Sequence, residues 1–311
     1  MKKKVSIITT FYNDEVHLQY SLNSVANQSF DSNEIDVEYI IVDDNSTDNS
    51  HKIAEDIVND VFNKTYIEAK LLKTPENLGC GGARKFGIDN ATGDYFMFLD
   101  ADDYYLRPDF VYRAYNDIVS LEADIVEYGV VVNEPKVSKR RASAAPHQIV
   151  ITNKEEALFS LIQEAKIRFS VWNKIYTADI VHSYPYDTTR TYEDIRTMPF
   201  WVANASKIVI QPTVEVNWRA NNKSIIRNNA IETRVGTCKA LCELCESFKD
   251  NYVILKALYT RAMIDFRAAL DNRTSNDPGF NEISKYNTKM LSYLYPEHYQ
   301  EFTYNIEGLE N

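Results

Sequence analysis

At 311 residues the chain is long enough to bury a sizeable core in one large domain or one and a half. Its 44% hydrophobic and 25% charged residues are ordinary for a globular protein, and a net charge of −11 with a sequence pI near 5.1 argues against a general nucleic-acid binder, which needs a basic surface. No apolar run approaches the ~20 residues of a membrane span. The polar lead Met1–Lys4 has no apolar signal region behind it, so a cytoplasmic protein is expected.

The first hundred residues alternate strand and helix. Val5–Thr9 reads as a compact apolar strand, followed by a helix with Leu18, Leu22 and Val25 on one face. Val37–Val42 is a second buried strand, ending in Asp43 and Asp44. Asn45 or Ser46 can cap the next helix, which carries Ile53, Ile57, Val58 and Val61. Ile67, Ala69 and Leu71 alternate with Glu68 and Lys70, the pattern of a more exposed strand. The glycine-rich stretch Asn77–Arg84 opens a helix ending near Gly93, and Tyr95–Leu99 is a short buried strand that stops at Asp100, Asp102 and Asp103. Strands without polar alternation belong to sheets covered on both faces. The β-α-β-α-β-α-β order therefore predicts an α/β protein with a largely parallel, doubly wound sheet.

After Pro108 a helix carries Val111, Ala114, Ile118 and Leu121 and leads to a strand at Ile125–Val132. Residues 133–148, with Lys136, Lys139, Arg140 and Arg141, read as a mobile surface loop. Its charge is expected to serve solvation, a phosphate or anionic-lipid contact being the sharper alternative. Asn153–Ala205 reads as mostly helical and Ile208–Val216 as a strand. From about Asn229 to Asn311, stripes such as Ile254, Leu258, Ala262, Phe266 and Ala269 mark a C-terminal helical appendage. Its tyrosines, Tyr252, Tyr259, Tyr286, Tyr293, Tyr295 and Tyr299, suit packing on the main domain or an interface in a homo-oligomer. Cys238, Cys242 and Cys245 share a helix face with Leu241 and Phe248, and core packing is expected of them, not zinc.

Ligands of open α/β sheets bind beyond the carboxyl ends of the strands. Three strands end there in polar sets: Thr10, Phe11, Tyr12 and Asn13; Asp43 and Asp44; Asp100, Asp102 and Asp103. Packed carboxylates repel one another unless a cation sits among them, and Mg²⁺ or Mn²⁺ is the natural candidate. The plainer alternative is an acidic strand end that caps the helix after Pro108. An aromatic ring beside a carboxylate, with metal-binding acids next to it, suits a nucleotide. A dinucleotide cofactor fits less well, because no Gly-x-Gly-x-x-Gly follows the first strand, and no Walker A lysine motif is present.

Val-Ser-Ile-Ile-Thr-Thr-Phe-Tyr-Asn (5–13), Ile-Ile-Val-Asp-Asp-Asn-Ser-Thr-Asp (40–48), Glu-Asn-Leu-Gly…Ala-Arg (76–84) and Leu-Asp-Ala-Asp-Asp (99–103) resemble, in order and spacing, the family 2 glycosyltransferases of the GT-A fold. Weaker echoes are Tyr192-Glu193-Asp194, similar to the pair supplying the family's catalytic base, and Asn217-Trp218-Arg219 with Ser224-Ile225, similar to a segment that closes over the donor. The resemblance implies a GT-A domain over 1–228, with a nucleotide-sugar half at 1–105 and an acceptor half at 106–228, and the helical region at 229–311. It departs from the family at Asn45, where Gly is usual, and at Lys85, where Asn is common.

Carried over, the resemblance implies donor contacts from Thr10, Phe11, Tyr12, Asn13, Asp44, Asn77, Gly79, Arg84, Asp100, Ala101 and Arg219. Asp44 would accept the N3–H of a uracil, and Asp102 with Asp100 would hold Mn²⁺ or Mg²⁺ on the diphosphate. Asp194 would be the general base, with Glu193 as the alternative, against the plainer reading of a solvated helix start. Trp172, in Ser170–Lys174, and Asp103 would face the acceptor, although Trp172 reads equally as core. The expected activity is metal-dependent, inverting transfer of a hexosyl or N-acetylhexosaminyl group from a nucleotide-sugar, a UDP-sugar first, to a glycan, lipid-linked or protein-linked acceptor. Contact with a membrane-bound acceptor would be peripheral, at the inner face. By analogy, a bacterial enzyme of surface polysaccharide or glycoprotein assembly fits. The alternatives are a non-catalytic nucleotide-sugar-binding module and a sugar-nucleotide pyrophosphorylase, whose signature loop is not seen at Phe11–Asp14.

Overall fold

The computed structural model describes residues 2–133, 141–219, 230–271 and 278–296. Two compact units emerge: Met1–Ala157 with Arg168–Asn221, and Leu158–Ile167 with Asn222–Asn311.

The first unit is built on a mixed sheet flanked by helices. Its strands are β1 (Lys3–Phe11), β2 (Ile35–Asp43), β3 (Ile67–Lys73), β4 (Tyr95–Phe98), β5 (Tyr104–Tyr105), β6 (Ile125–Asn133), β7 (Arg141–Ser143), β8 (Ile149–Ile151), β9 (Lys174–Thr177) and β10 (Ile208–Arg219). They run in the order β3-β2-β1-β4-β9-β6-β10-β5, with β7 on β6 and β8 on β10. The neighbours β3, β2, β1 and β4 are all parallel, as the alternating strand–helix order requires. Their register brings Phe11 beside Asp43, and the Leu99 N–H donates to the Ile8 carbonyl at 3.0 Å. All three polar sets therefore emerge on one edge.

The helices are α1 (Leu18–Ala26), α2 (Ser50–Asp60), α3 (Gly79–Asp89), α4 (Phe110–Ser120), α5 (Lys154–Phe159), α6 (Ala178–Ser183) and α7 (Glu193–Asn204). Leu18, Leu22 and Val25 of α1 and Val111, Ala114 and Ile118 of α4 share one buried cluster with Ile7, Ile41 and Met97. Full burial of each larger side chain contributes roughly 1.5–3 kcal/mol. That cluster fixes the strand ends as a rigid platform.

Four strands depart from the sequence expectations; the first is the two-residue β5, which follows the acids and pairs antiparallel with β10. β9 interrupts the stretch read as helical and pairs antiparallel with β4 and β6. β7 and β8 lie inside or just after the stretch read as a loop, β7 pairing with Val130–Val132. At two to four residues each is too short to show a period, and each is held by its partners. Lys136, Lys139 and Arg140 lie outside the described residues, as do Ser224, Ile225 and Tyr299 and the side chains of Arg141, Phe266 and Ala269.

The second unit holds α8 (Ala230–Ser247), α9 (Tyr252–Asp271) and α10 (Pro278–Leu294), which pack on one another. Cys238, Leu241, Cys242 and Cys245 are buried, as are Ile254, Leu258, Ala262, Ile283 and Met290. Burial pushes the Cys242 thiol up to about 11 and that of Cys245 to about 12, so both behave as small apolar groups. Among the described residues no helix is long and apolar enough to cross a membrane.

Candidate active site

The chain leaves β4 through Leu99 and turns at once, the Asp103 N–H donating to the Asp100 carbonyl at 3.0 Å. This turn brings carboxylate oxygens of Asp100, Asp102 and Asp103 within 4.8 Å of one another. Burial, then the Asp100 and Asp14 charges, push the Asp102 carboxyl up to about 6, with His17 partly offsetting them. Burial and the Asp102 and Asp100 charges push Asp103 well above the usual carboxylate range. One Asp103 oxygen accepts the Arg219 N–H at 2.8 Å, and the other is buried without a partner. Crowded, partly desolvated carboxylates with an orphaned oxygen are the donor set a hard divalent cation takes. The residues present therefore fit Mg²⁺ or Mn²⁺.

Along the neighbouring strand ends, Thr10 is half-buried and Tyr12 is 48% exposed, its ring open to a ligand. Phe11 could meet a ligand only through its backbone. Its side chain is 3% exposed within the core cluster, because alternation on β1 turns it inward where Tyr12 turns out. Asn13 adopts φ 51° and spends its side chain on its own surroundings, accepting the Thr47 N–H at 2.8 Å. Asn45 sits at φ 61°, the left-handed conformation that explains why Gly is usual there and why Asn is tolerated.

Asp44 is buried and anchors the start of α3. Its Oδ1 accepts the Leu78 N–H at 2.8 Å and the Thr74 hydroxyl at 3.0 Å, and its Oδ2 accepts the Gly79 N–H at 2.8 Å. Asn77 accepts from Arg190 through its side-chain oxygen at 2.5 Å and its carbonyl at 2.8 Å. The glycines make this approach feasible. Gly79 has φ 78°, and a Cβ on Gly81 would stand 2.5 Å from the carbonyl oxygens of Asp187 and Thr189.

Arg84 is buried on α3 and joins two parts of the site. It donates to Asp100 at 2.5 Å and to the Tyr186 hydroxyl at 3.1 Å, and it pairs with Glu193 at the start of α7. Glu193 is thereby committed to Arg84. Asp194, next along, is half-buried, and its Oδ1 accepts the Ile195 N–H at 2.8 Å. Burial and the Glu193 charge push its carboxyl up to about 7, with Arg84 opposing. A carboxylate at that value is poised to take a proton near neutrality.

The Ala101 methyl is buried in the core cluster, so a ligand there would meet the backbone. The Arg219 guanidinium lies over the rings of Tyr20, at 4.7 Å, and Tyr104, at 5.8 Å. Trp172 is half-buried against the core, its ring 6.4 Å from that of Trp218. Lys174 of the same stretch is fully buried, 3.1 Å from Glu127, which also meets Arg168 at 3.3 Å. Residues that the sequence reading passed over are Asp14 and His17, paired at 2.8 Å beside Asp102, together with Arg190 and Tyr186. The i, i+3 spacing of Asp14 and His17 ahead of α1 was the available signal; Arg190 and Tyr186 offer none.

The family model described as Glycosyl transferase family 2 matches residues 6–183. Glycosyltransferase GlyA of Streptococcus pneumoniae serotype 4 is 27% identical over 204 residues, which are 61% of this chain and 27% of GlyA. The poly(ribitol-phosphate) beta-N-acetylglucosaminyltransferase TarS of Staphylococcus aureus is 36% identical over 101 residues, 32% of this chain and 16% of TarS. The crystal structure of TarS 1-349 in complex with UDP-GlcNAc matches with a TM-score of 0.71 at 17% identity, covering 94% of this chain and 82% of that one. The mannosyltransferase PcManGT of Pyrobaculum calidifontis, in complex with GDP-Man and Mn²⁺, matches with a TM-score of 0.58 at 13% identity, covering 96% and 88%. Across eight curated relatives the chain spans 13 to 48% of the relative's own length. With four ordered strand-end motifs in one GT-A sheet and a family model covering more than half its length, the chain belongs to glycosyl transferase family 2.

Proposed function

We propose that the chain transfers a sugar from a nucleotide-sugar, a UDP-sugar first, to a hydroxyl of a glycan, glycolipid or glycoprotein acceptor, with inversion. One observation carries the reading: Asp194, its carboxyl pushed up to about 7, follows directly on Glu193, which Arg84 ties to Asp100 of the acid cluster. This link supports a reading in which the proton acceptor and the diphosphate site are joined through Arg84. The nucleotide-sugars in the TarS and PcManGT structures support the donor class, and the Mn²⁺ of the latter supports the metal.

In this reading Tyr12 stacks on the base, while Asp44 shapes the loop before α3 that faces it. Asp102 and Asp100 would hold Mn²⁺ or Mg²⁺, which when bound would supply Lewis-acid stabilisation of the diphosphate leaving group. Arg84 fixes the Asp100 carboxylate, and the Arg219 N–H fixes Asp103. Asp194 takes the proton of the acceptor hydroxyl as the new glycosidic bond forms on the face opposite the departing diphosphate. Glu193 is a positioning residue, because its carboxylate is already paired with Arg84.

The test is release of nucleoside diphosphate from a panel of UDP- and GDP-sugars, with Mn²⁺ and a set of hydroxylated acceptors. Turnover that needs an acceptor and is lost in Asp194→Asn supports the proposal. Turnover unaffected by that change would move the base elsewhere.

A further inference from the structure

Beside the acid cluster runs a cleft of about 570 Å³, in the size range of small-molecule sites. One wall is the face of α1 opposite Leu18, Leu22 and Val25, presenting Tyr20 and Asn23 and continued by Asn27 at the helix C-cap. The other wall is the segment after the acids, with Tyr104 and Arg107. Arg219 stands at the near end, its N–H on Asp103 and its guanidinium over the rings of Tyr20 and Tyr104.

Three features of the lining select the ligand. Its two charged residues are Arg107 and Arg219, and it contains no carboxylate, in a chain of net charge −11. Its polar groups include the amides of Asn27 and of Asn23, whose Nδ2 also donates to the Gln19 carbonyl at 2.7 Å; both keep a capacity to donate and accept, as hydroxyl groups require. The rings of Tyr20 and Tyr104 offer flat apolar surface to C–H faces. The cleft is also long: Tyr20 to Asn27 spans about 10 Å of helix, leading away from Asp103.

We propose that this cleft binds the part of an acceptor chain beyond the reacting unit, and that the chain is polyhydroxylated and carries repeated anionic groups, phosphodiester or carboxylate. This rests on the glycosyltransferase reading. Arg219 and Arg107 meet successive anions, and the amides and rings meet the hydroxyl-bearing units between them.

Isothermal titration of the full chain would use four probes: a glycerol-phosphate oligomer, an oligogalacturonate, a neutral oligosaccharide of matched length, and inorganic phosphate. At least one anionic oligomer is expected to bind ten-fold more tightly than the neutral oligosaccharide and inorganic phosphate. Which oligomer wins identifies the anion. The exposed Arg107→Glu change, and separately Asn27→Asp, should each weaken that binding at least ten-fold. UDP binding with Mn²⁺, measured on the same samples, reports the donor site separately. Equal binding of charged and neutral chains, insensitivity to Arg107→Glu, or no oligomer binding by protein that binds UDP would overturn the cleft assignment and leave the donor site standing. Failure of UDP alone to bind would instead strike the glycosyltransferase reading.

Discussion

The carboxylates of Asp100 and Glu193 share one buried guanidinium, that of Arg84, which meets Asp100 at 2.5 Å and pairs with Glu193 through its other terminal nitrogen. The pairing ties the turn after β4 to the first turn of α7, two elements that meet only through tertiary structure. Arg84→Ala would leave the buried Glu193 and the half-buried Asp100 without their shared counter-charge, at a cost of about 3 kcal/mol, the exposure of Asp100 placing it at the low end for a buried pair. Arg84→Lys should be little better, because a point ammonium cannot reproduce a fork. Urea unfolding of both variants measures this, and unchanged midpoints would mean that the bridge is not formed in solution.

As the proposed general base, Asp194 would act only when deprotonated, and its carboxyl is pushed up to about 7. Its ionised fraction falls as pH drops through that value. Turnover at saturating substrate should therefore fall about ten-fold per pH unit well below 7 and level off above it. Asp194→Asn should lower turnover by at least about 10²-fold while sparing UDP affinity. A profile that stays flat between pH 5 and 8 would contradict the assignment.

Asp102→Ala removes a carboxylate that the metal would use. Binding of UDP should then lose its dependence on Mn²⁺, and EDTA should reproduce the loss in the unaltered chain. Calorimetry of UDP binding with and without Mn²⁺ reads both effects; retained Mn²⁺ dependence in the variant would place the ion on other ligands.

Gly81→Ala tests the close approach at the head of α3. Its Cβ would stand 2.5 Å from two carbonyl oxygens of the segment leading to α7. Overpacking of this kind costs about 1–3 kcal/mol. The backbone must shift to admit the methyl, so turnover should fall along with the thermal midpoint. A variant with wild-type melting and turnover would show that the segment has slack.

The parallel half of the sheet was legible because β1, β2 and β4 are largely apolar runs that stop at polar sets, as Val37–Val42 stops at Asp43 and Asp44, and because β3 alternates. The acid cluster was legible for the same reason, and the burial of Asp102 and Asp103 adds the electrostatic strain that spacing cannot show. The inward turn of the Phe11 side chain was not legible, because a strand-end aromatic faces either way until its register is known. Arg84 was placed near the donor from its motif, but its partner Glu193 lies 109 residues on, and no local pattern reports such a pairing. β9 escaped because its four residues begin with Lys174, whose burial depends on Glu127 from another strand.

The most direct test of the account is a pair of thermal melts of the unaltered chain with saturating UDP, one with Mn²⁺ and one with EDTA. A ligand that binds only the folded state at 100 times its Kd stabilises it by about 2.7 kcal/mol. The account expects the midpoint to rise with UDP and Mn²⁺ together and to stay at the ligand-free value with EDTA. The same midpoint in all three conditions, for UDP and every other nucleoside diphosphate tried, would contradict it.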